Sequence, residues 1–379
     1  MSYVDQITEP LLLQCYAVLF FVSSILCFVI ILSSNYGFSR RAVLDQTAVQ
    51  SAHRGYVPRV GGLAIYLTIL GLIPLLSFGF IPLSVVFDLK TNELILLILT
   101  ALPVFCVGLA EDLGFPMMPK RRLVAAAFSG ILAIIILKVW IIKLGIPLVD
   151  DLLLFAPLGI FFTIFATVGV VNAFNFIDGL NGLSSFVATS SAVALSIIAF
   201  EVGNLQITIF LNLFTATILG FMVLNFPFGK IFLGDAGAYV LGHLLVWASI
   251  LLINYEPSIS PFSILLVFFW PVADTGLAIW RRLKLGNPTD RPDRLHFHQL
   301  TMRYLEIRFF GRDRRYIANP LATITLIPLI SAPQVLGVLY WNDLMATIWI
   351  TFLFGLIFIG TYLFGLTVAK KSRLIQGRK

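Results

Sequence analysis

The sequence predicts an all-α polytopic membrane protein of about eleven transmembrane helices, with the N-terminus outside and the C-terminus in the cytoplasm. Three observations carry this expectation. Of 379 residues, 59% are hydrophobic and only 12% are charged, against roughly 25% charged in soluble domains. Mean hydropathy is +0.96. Apolar runs of about 20 residues, enough to cross about 30 Å of hydrocarbon, recur along the chain. Lipid offers backbone groups no hydrogen-bond partner, so such runs must close their bonds internally, as helices.

The spans start near Leu11, Val60, Leu94, Leu123, Leu152, Leu183, Gln206, Ala236, Pro261, Pro320 and Leu344. The first run, about Leu11 to Leu32, is longer than a signal-peptide core. Acids (Asp5, Glu9) precede it rather than a basic stretch, so it reads as a retained helix. Most connections are short and carry Gly, Pro or Asn. One, over 281–319, is long. No repeat and no soluble domain is visible, so 1–379 reads as one membrane-embedded unit. Cys15, Cys27 and Cys106 lie in apolar runs without ligand spacing and read as lipid- or core-facing thiols.

Charge sets the orientation. The net charge is +7, and 23 of the 26 Lys and Arg fall in alternate connections: 40–59, 120–122, Lys230, the long loop and the C-terminal tail. The opposite connections hold Lys90, Lys138 and Lys143. The excess marks the cytoplasmic side. Basic residues between apolar runs suit anionic headgroups, so the bilayer is the expected partner and nucleic acid is not. The rarer polar groups sort the same way. Glu111, Asp112, Asp178, Asp235, His296 and His298 fall on the basic side, while Asp88, Asp150, Asp151, Glu201, Glu256 and Asp343 lie opposite without a motif. One site on the cytoplasmic face is expected.

Five segments carry candidate chemistry. In VQSAHRGYVPRVGGL, Gly61 and Gly62 open a span, where a backbone can approach a ligand closely; a plain helix start is the simpler reading. In GLAEDLGFPMMPKRR, Glu111 and Asp112 end a span, and acids beside lipid are costly. Paired carboxylates hold Mg²⁺ or accept a proton, and Lys120, Arg121 and Arg122 can hold phosphate or snorkel to headgroups. In VNAFNFIDGLNGLS, Asn172, Asn175, Asp178 and Asn181 recur every third residue, which on a helix makes one polar stripe. Such a stripe in an apolar helix needs a partner helix, water or a ligand. In NFPFGKIFLGDAGAY, Asp235 sits between glycines at a span start, Lys230 adds a compact charge, and Phe232 is either core or a stacking face. A helix cap is the ordinary reading of that acid. In NPTDRPDRLHFHQL, Arg291 and Arg294 flank His296 and His298, which suits phosphate or sugar better than zinc. Asp274 lies inside the ninth span, either in an ion pair or shaping a lipid-phosphate site. His243 reads as a satisfied helix residue. Residues 300–317 mix basic and apolar positions and suit an interfacial helix.

Together these motifs resemble the polyprenyl-phosphate N-acetylhexosamine-1-phosphate transferases, or glycosyltransferase family 4. The resemblance runs from about Arg40 to Arg303 with the motifs in order. It implies a Mg²⁺-dependent enzyme (Mn²⁺ as a substitute) that uses a UDP-activated sugar and undecaprenyl phosphate, giving undecaprenyl-pyrophosphate-sugar and UMP. The family's aspartate pair falls on Glu111 and Asp112, a departure in the first position. Its Asn-x-x-Asp-Gly motif falls on Asn175, Asp178 and Gly179, and its metal-binding Gly-Asp on Asp235. Nucleotide-side residues correspond to Asn181, Asn225 and Phe232, the last as a uracil-stacking face. The His-rich loop falls on His296 and His298, with Gln299 where many relatives carry another His. The missing third His argues against the MurNAc-pentapeptide branch and towards UDP-N-acetylated sugars of envelope polysaccharides such as O-antigen.

The implied chemistry joins two anions, so positioning and charge neutralisation should dominate. Asp235 is the first choice of metal ligand, with Asp112 or Asn175 beside it. Asp112 is the expected proton acceptor for direct in-line attack, with Glu111 its partner. A covalent route through Asp178 is the alternative. Lys120, Arg122, Arg291 and Arg294 would hold phosphates. A homodimer is compatible with this reading. The competing classes are a transporter, whose polar sites sit at mid-membrane and often in related halves, and an intramembrane aspartyl protease built on Asp178 and Asp235.

Overall fold

The structure is a computed structural model that describes residues 3–33, 57–73, 92–285 and 295–376. It is helical, as the apolar runs require. The helices are α1 (Tyr3–Ser33), α2 (Gly61–Leu70), α3 (Asn92–Thr100), α4 (Leu102–Asp112), α5 (Pro119–Leu137), α6 (Pro147–Leu153), α7 (Ala156–Phe176) and α8 (Leu183–Glu201). They continue with α9 (Leu205–Asn225), α10 (Gly234–Tyr255), α11 (Pro261–Val267), α12 (Phe269–Leu285), α13 (Phe297–Leu305), α14 (Arg315–Leu339) and α15 (Leu344–Gln376).

Among the described residues, eight helices are long and apolar enough to cross a membrane, or nine if the bent pair α11–α12 counts as one span. Two of the eleven expected spans fall outside that set. Helix α2 is described over ten residues, and residues 74–91 beyond it lie outside the described residues. Helix α5 spans 19 residues but starts on Lys120, Arg121 and Arg122, too charged a first turn for an ordinary span. The expected fifth span begins later than Leu152, at Ala156, after the short α6.

α10 is the central post. Every residue from Gly234 to Leu252 is buried, and the helix packs against α2, α4, α7 and α8. Small residues permit this. A Cβ on Gly62 would run into the backbone of Gly237, and one on Gly108 would stand 2.5 Å from Ala236 Cα. A Gly62→Ala substitution must therefore push α2 off α10. Such overpacking costs about 1–3 kcal/mol, so the detergent-solubilised variant is expected to melt at a lower temperature than the parent. α1 and α15 lie at the periphery with most of their surface exposed, including Phe21, Phe28, Phe352 and Phe364, as lipid-facing helices should be.

Two breaks shape the site. The polar stripe expected on one helix is not one. α7 ends at Phe176, so only Asn172 and Asn175 are helical, and Asn172 turns back to Val168 O at 2.8 Å. Asp178 and Asn181 lie in the turn over 177–182, which closes on Gly182 at φ +76°. The ninth span also breaks, bending 80° between α11 and α12. Pro271 has no N–H to give Val267 O four residues back. That freed carbonyl instead accepts from Gln334 Nε2 at 3.1 Å and Ser191 Oγ at 3.3 Å. A broken span is stable in lipid only when its freed groups are re-satisfied in this way.

The segment 281–319 is helical over most of its described length. α12 runs to Leu285, α13 passes into a π-helical turn over Glu306–Phe310, and Gly311 at φ +70° ends it. Tyr304, Ile307 and Phe309 are exposed there, in keeping with an interfacial stretch. Cys15 and Cys27 are buried and Cys106 is exposed. Within the bundle, His243 Nε2 meets Thr100 Oγ1 at 2.9 Å, while its Nδ1 has no partner.

Candidate active site

The first N–H groups of a helix have no partner within it. At the start of α10 they are met by carboxylates. Asp112 Oδ1 accepts from Asp235 N and Oδ2 from Ala236 N, each at 2.9 Å. The Gly234 amide favours the charged form of Asp178. Gly234 has φ +75°, and a Cβ on it would strike the Arg59 carbonyl oxygen. Glycine is the residue that tolerates both conditions.

Around this cap the other predicted groups assemble. Asn175 Nδ2 donates to Asp235 Oδ1 at 2.8 Å. Arg59 Nη2 lies 3.8 Å from the same oxygen. The Glu111 carboxyl comes within hydrogen-bonding reach of the Asp235 carboxyl. Arg122 Nη2 holds Glu111 Oε1 at 2.8 Å, while Glu111 Oε2 is buried without a hydrogen bond. Burial pushes the Asp178 carboxyl up to about 7; Arg59 opposes the shift and Asp235 adds to it.

The histidines arrive from the other side. Asp274, 2% exposed, takes His296 Nδ1 on Oδ2 at 2.9 Å and Phe297 N on Oδ1 at 3.0 Å. The bend at Phe268 aims α12 so that this contact forms. The rings of His296 and His298 stack at 5.6 Å, and Phe176 lies 5.7 Å from His296. His298 is fully buried, and burial holds its imidazole below the usual value against the pull of Asp274. Its Nε2 has no hydrogen-bond partner and abuts Gly179, where a Cβ would stand 2.5 Å away. Leu295 O, just before the pair, accepts from Arg281 Nη1 at 3.2 Å and Tyr362 Oη at 3.1 Å.

The structure thus brings together Glu111, Asp112, Asn175, Asp178, Asp235, Arg122, His296 and His298. Asn181 and Asn225 are buried and stitch loops. Asn181 Nδ2 donates to Pro227 O at 3.1 Å, and Asn225 joins the Gly182 amide and Ile231 O, both at 2.8 Å. Phe232 is half-buried, its backbone bonded to Pro58 and Gly61. Lys120 is exposed on the first turn of α5. Arg291, Arg294 and His53 lie outside the described residues. Sequence reasoning passed over Arg59 and Tyr362. Arg59 was visible only as one basic residue in a loop, and Tyr362 sits in an apolar run.

Among the described residues, no group of three or more His, Cys, Asp or Glu converges as a metal-ligand set. Mg²⁺ asks for less, usually one or two carboxylates plus substrate phosphates. Asp235 and Glu111 supply two adjacent hard-oxygen groups, one with a buried, unpartnered oxygen. Two carboxylates side by side suit a shared cation, so the donor set fits Mg²⁺. Asn175 presents its amide nitrogen to Asp235, which orients that carboxylate, and both Asp112 oxygens are taken by backbone amides.

A helical bundle with eight apolar helices long enough to cross a membrane, gathering acids, arginines and histidines at its helix ends, belongs to the class of integral membrane proteins. The comparisons narrow it. Residues 94–253 match the family model described as glycosyl transferase family 4. The chain is 29% identical over 268 residues to the undecaprenyl-phosphate alpha-N-acetylglucosaminyl 1-phosphate transferase of Escherichia coli K12, covering 69% of each chain. It is 28% identical over 299 residues to the protein of the same name from Yersinia pestis, 74% of this chain and 77% of that one. It is 26% identical over 304 residues to a probable undecaprenyl-phosphate N-acetylglucosaminyl 1-phosphate transferase of Bacillus subtilis 168, 79% of each. The resemblance expected from the motifs is therefore found: the chain is similar to glycosyl transferase family 4 over residues 94–253 and to these transferases over about 70% or more of its length.

Proposed function

We propose that the protein transfers an N-acetylhexosamine-1-phosphate from a UDP-sugar to undecaprenyl phosphate, releasing UMP, in a cell-envelope polysaccharide pathway. The observation that carries this is the convergence of Glu111, Asp112, Asp178 and Asp235 with Arg59, Arg122 and the His296–His298 pair at one cluster of helix ends. The names of the relatives give the donor sugar phosphate and the lipid acceptor their chemistry. The charge asymmetry of the connections supports a site on the cytoplasmic face of the bacterial inner membrane.

In this reading an oxygen of the lipid phosphate attacks the β-phosphorus of the UDP-sugar. A new P–O–P bond forms, the bond from that phosphorus to the bridging oxygen breaks, and UMP leaves. Any proton on the attacking phosphate passes to a carboxylate. Asp112 is not free to take it, since both its oxygens accept from backbone amides, and Glu111 is kept for the cation. Asp112 instead sets the start of α10 and so the position of Asp235. Mg²⁺ held by Asp235 and Glu111 would neutralise phosphate charge during transfer. His298, fully buried, packs its Nε2 on Gly179 and so supports the turn that carries Asp178.

The test is a panel of UDP-sugars with undecaprenyl phosphate and Mg²⁺, scored by UMP release from purified protein. UMP release with one UDP-N-acetylhexosamine, abolished by chelator, is expected. No release with any donor, in protein shown to be folded, removes the reading.

A further inference from the structure

An anion entering this site meets four carboxylates, and their field repels it. Two arginines oppose that field, and they differ. Arg122 is engaged: its Nη2 lies 2.8 Å from Glu111 Oε1 and also donates to Met117 O at 3.3 Å. Arg59 is looser. Its ion pair to Asp235 is 3.8 Å long and its side chain is 37% exposed. Its charge nevertheless acts on Glu111, Asp112 and Asp178 as well.

The backbone delivers Arg59 to this place. Phe232 N donates to Pro58 O at 2.9 Å, Gly61 N to Phe232 O at 2.9 Å and Gly62 N to Leu233 O at 2.8 Å. The segment before α2 is thus bonded on both sides of Arg59 to the loop that enters α10. The Arg59 carbonyl packs against Gly234, next to Asp235. By Asp178, the fully buried His298 turns its unpartnered Nε2 on Gly179. The site therefore has in Arg59 a guanidinium with exposed surface, while the histidine nitrogen is closed off by its packing.

We infer that Arg59 is the anion-receiving residue of this site, taking two phosphoryl oxygens of an incoming phosphate in its fork of N–H donors. A guanidinium matches phosphate in a two-point contact that an ammonium cannot make. The inference rests on the transfer reading for its role in turnover, but not for its test. Two sources supply the chemistry, the lipid phosphate and the nucleotide phosphate, and separate probes distinguish them.

The experiment measures binding, without turnover, of farnesyl phosphate, farnesol and UMP to the purified full-length protein in detergent. The parent is expected to prefer farnesyl phosphate over farnesol by about tenfold or more, the scale of one charge-assisted contact. Arg59→Gln should bring that ratio near one and leave farnesol binding unchanged. If Arg59→Gln loses UMP binding and keeps the farnesyl phosphate preference, the residue serves the nucleotide phosphate and the inference stands for that source. An Arg59→Gln protein that keeps both phosphate affinities overturns it and leaves Arg59 a structural ion pair. Arg59→Lys retains the charge and serves if the Gln variant does not fold. It should lose at least threefold of the parent's affinity for one of the two phosphate probes, and full retention of both also overturns the inference. Failure of the transfer reading would appear separately, as absence of UMP release by the parent.

Discussion

Asp235→Asn is expected to lower sugar-phosphate transfer by roughly 10²–10³, the scale seen when one preorganised electrostatic contact is removed from a reacting centre. Asp235 is the point on which the site converges. Its Oδ1 takes the Asn175 amide at 2.8 Å and faces Arg59 at 3.8 Å, and the Glu111 carboxyl lies beside it. The substitution keeps the shape and removes one charge of the two offered to Mg²⁺. The loss should be partly recovered by raising Mg²⁺, because the affinity of the remaining donors for the cation is what has fallen. Steady-state rates across a Mg²⁺ titration check this. A rate within threefold of the parent at all Mg²⁺ concentrations would remove Asp235 from the chemistry.

Adjacent Glu111→Gln and Asp112→Asn should fail in different ways. Asp112 is 4% exposed and both its oxygens accept α10 amides. An Asn there turns an NH₂ group towards a backbone N–H, losing one cap bond and the charge that complements the helix start. That costs about 2 kcal/mol of stability, and the melting temperature and activity should fall together. Glu111→Gln keeps a carbonyl for Arg122 and removes the carboxylate beside Asp235. Activity should fall at least about tenfold, while the melting temperature holds or rises as like-charge repulsion is relieved. Paired melting curves and rate measurements check both. Equal destabilisation by the two substitutions would contradict the division of roles.

The apolar runs made the helices legible because lipid imposes a length and a composition. They said less about how each helix ends. The break at Phe268 lies inside the uninterrupted run SILLVFFW, and its cause, Pro271, is a single residue. What makes the break tolerable is Gln334, more than sixty residues further on, a pairing that no local pattern announces. The run of Asn and Asp at every third position suggested a helix face, yet half of it lies in a turn because α7 stops at Phe176. At the site, residue types announced themselves where chemistry is expensive in lipid: Glu111, Asp112, Asp178 and Asp235. Their division of labour did not. Nothing local distinguishes Asp112, which caps a helix more than a hundred residues away, from Glu111, whose second oxygen is left without a hydrogen bond. Arg59 was missed for the same reason, since its importance comes from the loop over 232–234 to which its backbone is bonded.

The most direct measurement follows the phosphorus. UDP-N-acetylglucosamine labelled in the β-phosphate is incubated with the purified protein, undecaprenyl phosphate and Mg²⁺, and the label is traced between aqueous and lipid-extractable fractions. The account predicts that the label enters the lipid fraction together with the sugar and that UMP appears in equal amount. Label retained in UDP while sugar enters the lipid, or no lipid label from any UDP-N-acetylhexosamine, would contradict it.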